Sequence, residues 1–269
     1  MQKPLSRPAL LLALILSAGA LSPAVAQDNN PLINSGALLE KASSLYDSGA
    51  YKQAIHLYQQ VDRNDTNYAR ALYGIALCYE EDSVFDQAIH YSQLGLTAGN
   101  DPLREPDLYN VYANSLKASG QMERALRVFD SAIHKYPAYS LLYLNKGTAL
   151  YTMKRFPEAE AVFKQALMID PYSYSSHFKL GMVAMEQGKM VPAFLSFIGY
   201  LLMTPEGRFQ PGCITMLKAI AHNEDNIQEY LAKRKETPSE NYQLLEEIIQ
   251  SKIALDPNYK LLIRLDDPI

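Results

Sequence analysis

The chain has 269 residues and carries 25 basic against 29 acidic side chains, a net charge of −4. A chain this acidic argues against nonspecific attachment to nucleic-acid phosphates. It has two cysteines and no tryptophan, which weakens any reading that needs an indole stacking platform.

The first 26 residues read as a targeting segment. Lys3 and Arg7 give a positive start, Pro8 to Leu21 is almost wholly apolar, and Ala24-Val25-Ala26 fits the small-x-small cleavage rule. The apolar run is too short and too rich in small residues for a membrane span, and no cysteine follows it to accept a lipid anchor. Cleavage after Ala26 is expected, with Gln27 as the mature N-terminus, a periplasmic or secreted destination, and no transmembrane segment in the mature chain. Loss of Lys3 and Arg7 leaves 23 basic against 29 acidic residues, a net charge of −6. Residues 27–34 are a linker.

From residue 35 the chain repeats. Ala54, Ala88, Ala125, Ala159 and Ala193 are spaced by 34, 37, 34 and 34 residues. Twelve residues before each lies a small residue: Ala42, Ala76, Ala113, Gly147 and Gly181. With the alanine numbered 20 in each unit, the small residue is position 8. Position 4 holds Leu38, Leu72, Tyr109, Tyr143 and His177, and position 11 holds Leu45, Tyr79, Leu116, Leu150 and Ala184. Positions 4, 8 and 11 share one helix face, and positions 17, 20, 24 and 27 share the face of a second helix. Small residues at 8 and 20 let the two helix axes approach to about 8 Å, the near end of the usual range. Position 15, between the helices, is Gly49, Ser83, Gly120, Lys154 and Gly188. Glycine there ends the first helix without a Cβ clash. Position 32 is Pro137, Pro171 and Pro205 in the last three units, where proline closes the second helix.

This pattern resembles the tetratricopeptide repeat family, built of 34-residue helix–turn–helix units. The resemblance covers residues 35–207, as repeats 35–68, 69–105, 106–139, 140–173 and 174–207. It implies an all-α, right-handed superhelical solenoid. The sequence departs from the pattern in places. No repeat has tryptophan at position 4, and repeats one and two carry Thr66 and Asn100 in place of the proline. Ser92 replaces the large aromatic at position 24 of repeat two, which predicts looser packing there. The 37-residue interval places an insertion near Gly99–Glu105, where Gly-Asn-Asp-Pro reads as a lengthened turn. Cys78 and Cys213 fall far apart in such a solenoid, beyond the roughly 7 Å between Cα atoms that a disulfide allows. Two buried thiols are expected.

Residues 208–269 leave the pattern and are expected to form a helical cap or tail. Gly212–His222 and Glu224–Lys235 read as helices, and Thr237-Pro238-Ser239-Glu240 reads as a helix start. A terminal cover with a polar outer face is what the last repeat needs. Tyr259–Leu265 is apolar with Lys260 and Arg264 interleaved, and fits a strand or a helix start.

No catalytic group stands out. His56 and His90 share position 22, which faces away from the helix-pair core, so they do not make a metal site. No zinc, calcium, nucleophile-elbow or phosphate-loop spacing occurs. Glu80, Glu81 and Asp82 read as a solvated helix end. No enzyme activity, cofactor or metal is expected.

What the resemblance implies instead is a concave groove, lined in such arrays by positions 2, 5, 9, 12 and 13 of the first helices. Position 5 holds Leu39, Tyr73, Asn110, Leu144 and Phe178; position 9 holds Ser43, Leu77, Asn114, Thr148 and Met182; position 12 holds Tyr46, Glu80, Lys117, Tyr151 and Met185. Exposed apolar surface marks interaction sites, and tyrosine and methionine suit adaptable contact with a peptide. One relative of this fold grips the C-terminal carboxylates of chaperones with a clamp of lysine and asparagine. Laid on repeats three to five, that clamp matches Asn114, Asn145 and Lys179 and fails at Asn110 and Ser175, where basic residues are expected. Half a clamp cannot hold two carboxylates as charge-assisted pairs. Asn114, Asn145, Lys117 and Lys179 still make a polar centre suited to peptide backbone. The expected groove is therefore Tyr73, Asn110, Asn114, Lys117, Asn145, Tyr151, Phe178, Lys179 and Met182. The expected function is a non-catalytic scaffold binding an extended segment of a partner protein, with no nucleic acid. The alternative is a carbohydrate-binding accessory protein of the cell envelope, in which exposed aromatics would stack on sugar rings.

Overall fold

A computed structural model describes residues 34–249, apart from 100, 205, 223–224, 236, 239–241, 244 and 247–248. The targeting segment, Pro205, and the tail from Leu255 lie outside the described residues. Within them there are helices and no strand. Five antiparallel pairs come first: α1 (Ser35–Asp47) with α2 (Tyr51–Tyr58), α3 (Tyr68–Glu81) with α4 (Phe85–Ala98), α5 (Glu105–Ala118) with α6 (Met122–Lys135), α7 (Ser140–Thr152) with α8 (Phe156–Ile169), and α9 (Tyr174–Glu186) with α10 (Met190–Met203). Then follow α11 (Gln210–His222) and α12 (Asp225–Leu231). No described helix is long and apolar enough to cross a membrane.

The turn inside each pair is the same structure five times. Position 15 lies in the left-handed region whether it is Gly49 (φ 78°), Gly120 (82°) or Gly188 (69°), or Ser83 (59°) or Lys154 (58°). The amide that follows reaches back to the carbonyl of position 11: Ala50 to Leu45, Val84 to Tyr79, Gln121 to Leu116, Arg155 to Leu150 and Lys189 to Ala184, at 2.8–2.9 Å. This bond satisfies a carbonyl that the helix end would otherwise leave open. The frame therefore imposes the left-handed residue even on serine and lysine, which adopt it less readily than glycine.

The core sits between the helices of each pair. The five alanines at position 20 are completely buried, as are Ala42, Ala76 and Ala113 at position 8. At Gly147 and Gly181 the contact is closer still. A Cβ there would fall 2.6 Å from the rings of Phe163 and Phe197. Replacing Ala125 or Ala159 by Leu forces a branched side chain into these tightest points. We expect a loss of about 1–3 kcal/mol, read as a lower urea midpoint with an unchanged slope. An unmoved midpoint in both variants would mean that position 20 is not the point of closest approach.

Repeat two corrects an expectation. Ser92 does not loosen it: the residue is fully buried, its hydroxyl donates to the Ala88 carbonyl at 2.6 Å, and Leu108 of α5 closes over Gly95. The small side chains draw α4 against α5 rather than leaving a gap. The insertion does lengthen a turn. Residues 99–104 join α4 to α5, where four residues suffice after α6 and α8. Gly99, at φ 64°, starts that turn.

First helices of successive repeats touch one another: α1 with α3, α3 with α5, α5 with α7 and α7 with α9. Second helices make no comparable contact among the described residues. The row of first helices is thus the tighter one and forms the inner face of the curve. Cys78 is buried in the N-terminal core and Cys213 in the C-terminal one, both unpaired. Burial pushes their thiols up to about 12 and about 11.

Candidate functional site: the concave groove

Every predicted groove residue is half-buried on the first-helix row, but the row divides into three stretches. At its centre α5, α7 and α9 bring polar groups together. The Asn145 carboxamide donates to the Asn110 carbonyl oxygen at 2.7 Å, tying α7 to α5. The Lys117 ammonium donates to Asn114 Oδ1 at 2.9 Å. Lys179 makes neither a hydrogen bond nor an ion pair among the described residues, and Lys117 makes no ion pair. Burial holds both lysines below their ordinary range, and the positive charge of Lys179 presses Lys117 down further.

At the N-terminal end, Tyr73 joins Tyr46, Tyr58, Leu39 and Arg70 around a cavity of about 220 Å³. Arg104, from the inserted turn, lies over the Tyr73 ring at 5.8 Å and pairs with Asp107 at 3.0 Å. Burial, then the charge of Asp107, pushes the Tyr73 hydroxyl up to about 12.

At the C-terminal end the cap reaches the row. Phe209, just before α11, stacks on Phe178 with ring centroids 4.3 Å apart and planes 8° from parallel. Phe178 also meets Tyr200 at 5.7 Å. Phe178 and Met182 pack on the C-terminal core, and Met185 at position 12 is 1% exposed within it. These three are wall and core here, not open lining. Tyr151 lies between the stretches, packed on Phe156 at 5.6 Å. Its hydroxyl is held above the ordinary range by burial and by Glu186 and Tyr230, which places α12 at the groove's edge.

The sequence offered two readings of Glu80, a groove position and a solvated helix end. Glu80 is not part of a solvated helix end. It is half-buried on the inner row, where burial pushes its carboxyl up to about 7 against the pull of Lys117. Position 12, which it shares with Lys117 and Tyr151, was the signal. Phe209, Tyr230 and Arg104 lie outside the repeat frame and had none. His56 and His90 are exposed on the outer helices. No described group of His, Cys, Asp or Glu is placed to hold a metal ion.

The tetratricopeptide repeat family matches residues 39–101, across α1 to α4, and 113–176, from within α5 to the start of α9. Those two stretches belong to that family. Among solved structures, a thermophilic tetratricopeptide repeat protein of Thermus thermophilus is 21% identical, with 68% of this chain and 99% of that one covered and a TM-score of 0.57. PilF of Pseudomonas aeruginosa is 15% identical over 82% of this chain and 96% of its own, at 0.59. PilW, a widely conserved type IV pilus biogenesis factor, is 19% identical over 84% and 96%, at 0.58. At these identities the likeness is one of fold. Past the last repeat the chain continues into α11 and α12, and Phe209, just before α11, with Tyr230 of α12 lies on the C-terminal side of the groove.

Proposed function

We propose that the protein is a non-catalytic scaffold that holds an extended segment of a partner protein in its concave groove, in the periplasm or outside the cell. The observation that carries this reading is the groove centre. Two ammoniums and three carboxamides converge there, and Lys179 has no partner within the described chain. Half-buried polar groups left open in this way are suited to a ligand that completes their bonds. Carboxamides that donate and accept match peptide backbone, and Tyr151 beside them offers an aromatic anchor. Export rests on Lys3, Arg7, the apolar run and the Ala-Val-Ala site, which predict Gln27 as the N-terminus of the mature protein.

Interface energy concentrates in a few aromatic anchors. Tyr151→Ala is therefore expected to weaken partner capture by about 1–2 kcal/mol, roughly tenfold. The check is crosslinking in the native envelope followed by mass spectrometry, with melting temperatures measured in parallel because Tyr151 also packs on Phe156. Substituting the exposed His56 or His90 should leave capture unchanged. Undiminished capture by the Tyr151 variant would contradict groove binding.

A further inference from the structure

Glu80 stands at the last turn of α3, half-buried on the inner row, and its carboxyl group makes neither a hydrogen bond nor an ion pair among the described residues. A buried carboxylate normally secures such partners, because desolvating an unpaired charge is costly. The groups that act on it are few. The charge of Lys117 on α5 acts on it, as does that of Glu81 beside it on its own helix, and Glu80 in turn acts on Tyr73. Helices α1, α2 and α4 also pack against α3, and none brings a charged group that acts on Glu80. Lys117 in turn is bonded to a neutral carboxamide and feels Lys179 across the groove. The centre is thus a three-charge cluster, one carboxylate and two ammoniums, in which no pair has closed into a salt bridge.

We propose that Glu80 is a charge gate in this groove: as a carboxylate it competes with an acidic segment of the partner for Lys117, and when protonated it leaves both lysines to that segment. The proposal rests on the groove-binding reading and adds the partner's chemistry and its regulation. The gate works near neutral pH, since burial places the Glu80 carboxyl at about 7. Below that value Glu80 is neutral and the two ammoniums are uncompensated. Above it, a second carboxylate entering the site meets repulsion in a partly desolvated groove, where charges a few ångströms apart interact much more strongly than in bulk water. Capture of an acidic segment should therefore take up a proton and weaken as pH rises through neutrality.

The probe is a fluorescein-labelled oligoglutamate peptide, titrated with the full chain by anisotropy at about pH 5.5 and about pH 8.5, with oligolysine as its counterpart. Binding of oligoglutamate is expected to be roughly tenfold tighter at the lower pH. Glu80→Gln, isosteric and uncharged, should bind tightly at both. The Lys117→Gln/Lys179→Gln double variant should lose the probe at both. A pH effect of the same size in Glu80→Gln would place it on another group, such as a histidine, and overturn the gate. Equal affinity of the wild-type chain at the two pH values, no binding of oligoglutamate, or preference for oligolysine would overturn it as well. A carboxyl-carbon NMR titration gives a probe-free check: Glu80 should titrate near neutrality, and a midpoint in the ordinary glutamate range overturns the proposal. None of these failures bears on capture of the native partner, which Tyr151→Ala tests separately.

Discussion

Phe163→Ala is expected to destabilise the protein by about 3–5 kcal/mol. The ring is completely buried at position 24 of repeat four and faces the backbone of Gly147 on the partner helix. A Cβ at Gly147 would lie 2.6 Å from it, so the helix pair is spaced by the ring itself. Removing the ring leaves a void that the two helices can close only by changing their separation. Each repeat is stabilised through its neighbours, so such a shift would also disturb α6 and α9. Phe197 against Gly181 repeats the arrangement in repeat five and should respond alike. Urea unfolding followed by circular dichroism gives the test. A loss well under 1 kcal/mol in both variants would show that these rings do not set the spacing.

Glu160→Ala is expected to cost about 2–3 kcal/mol, somewhat less than removing one partner of a fully buried ion pair. Glu160 on α8 is 8% exposed and accepts from Lys164 at 2.6 Å, from Lys189 at 2.7 Å and from Gln187 at 2.7 Å. Gln187 and Lys189 belong to the turn of repeat five, so one carboxylate joins two repeats. The lysines are themselves partly solvated, which lowers the expected cost. Burial raises the Glu160 carboxyl, but the three hydrogen bonds and the charge of Lys164 outweigh it and hold the group at about 2. Its folded value lies below its unfolded one. The stabilisation is therefore complete above the ordinary glutamate value near 4.5 and is lost as pH falls from there toward 2. Glu160→Gln should flatten stability over that acid window. An undiminished acid dependence in the variant would assign it to other carboxylates.

The repeat frame was legible because close helix packing restricts two positions per unit to small residues, and spacing survives where other positions vary. The turns were only partly legible. Glycine announced three of them, while Ser83 and Lys154 take the same left-handed conformation because the bond from position 16 to position 11 demands it. Ser92 misled, since a small side chain can mark a gap or a close approach, and here α5 moves in over Gly95. Position in the frame placed Asn110, Asn114 and Lys117 on the inner row, and the partial clamp match added Asn145 and Lys179; all five are half-buried there. Glu80 was masked by Glu81 and Asp82 beside it, although its position in the frame points inward. Phe178 and Met182 could not be assigned as wall rather than lining. Phe209 covers Phe178, Met182 packs on the same C-terminal core, and the segment that supplies Phe209 has no periodicity to align.

The most direct test of groove binding is site-specific photocrosslinking in living cells. A photoreactive residue would replace Thr148, half-buried at position 9 of α7 on the inner row, or His90, exposed on the outer helix α4. Groove binding predicts an adduct with the partner from position 148 and none from position 90. An adduct from position 90 with none from position 148 would contradict it and move recognition to the convex face.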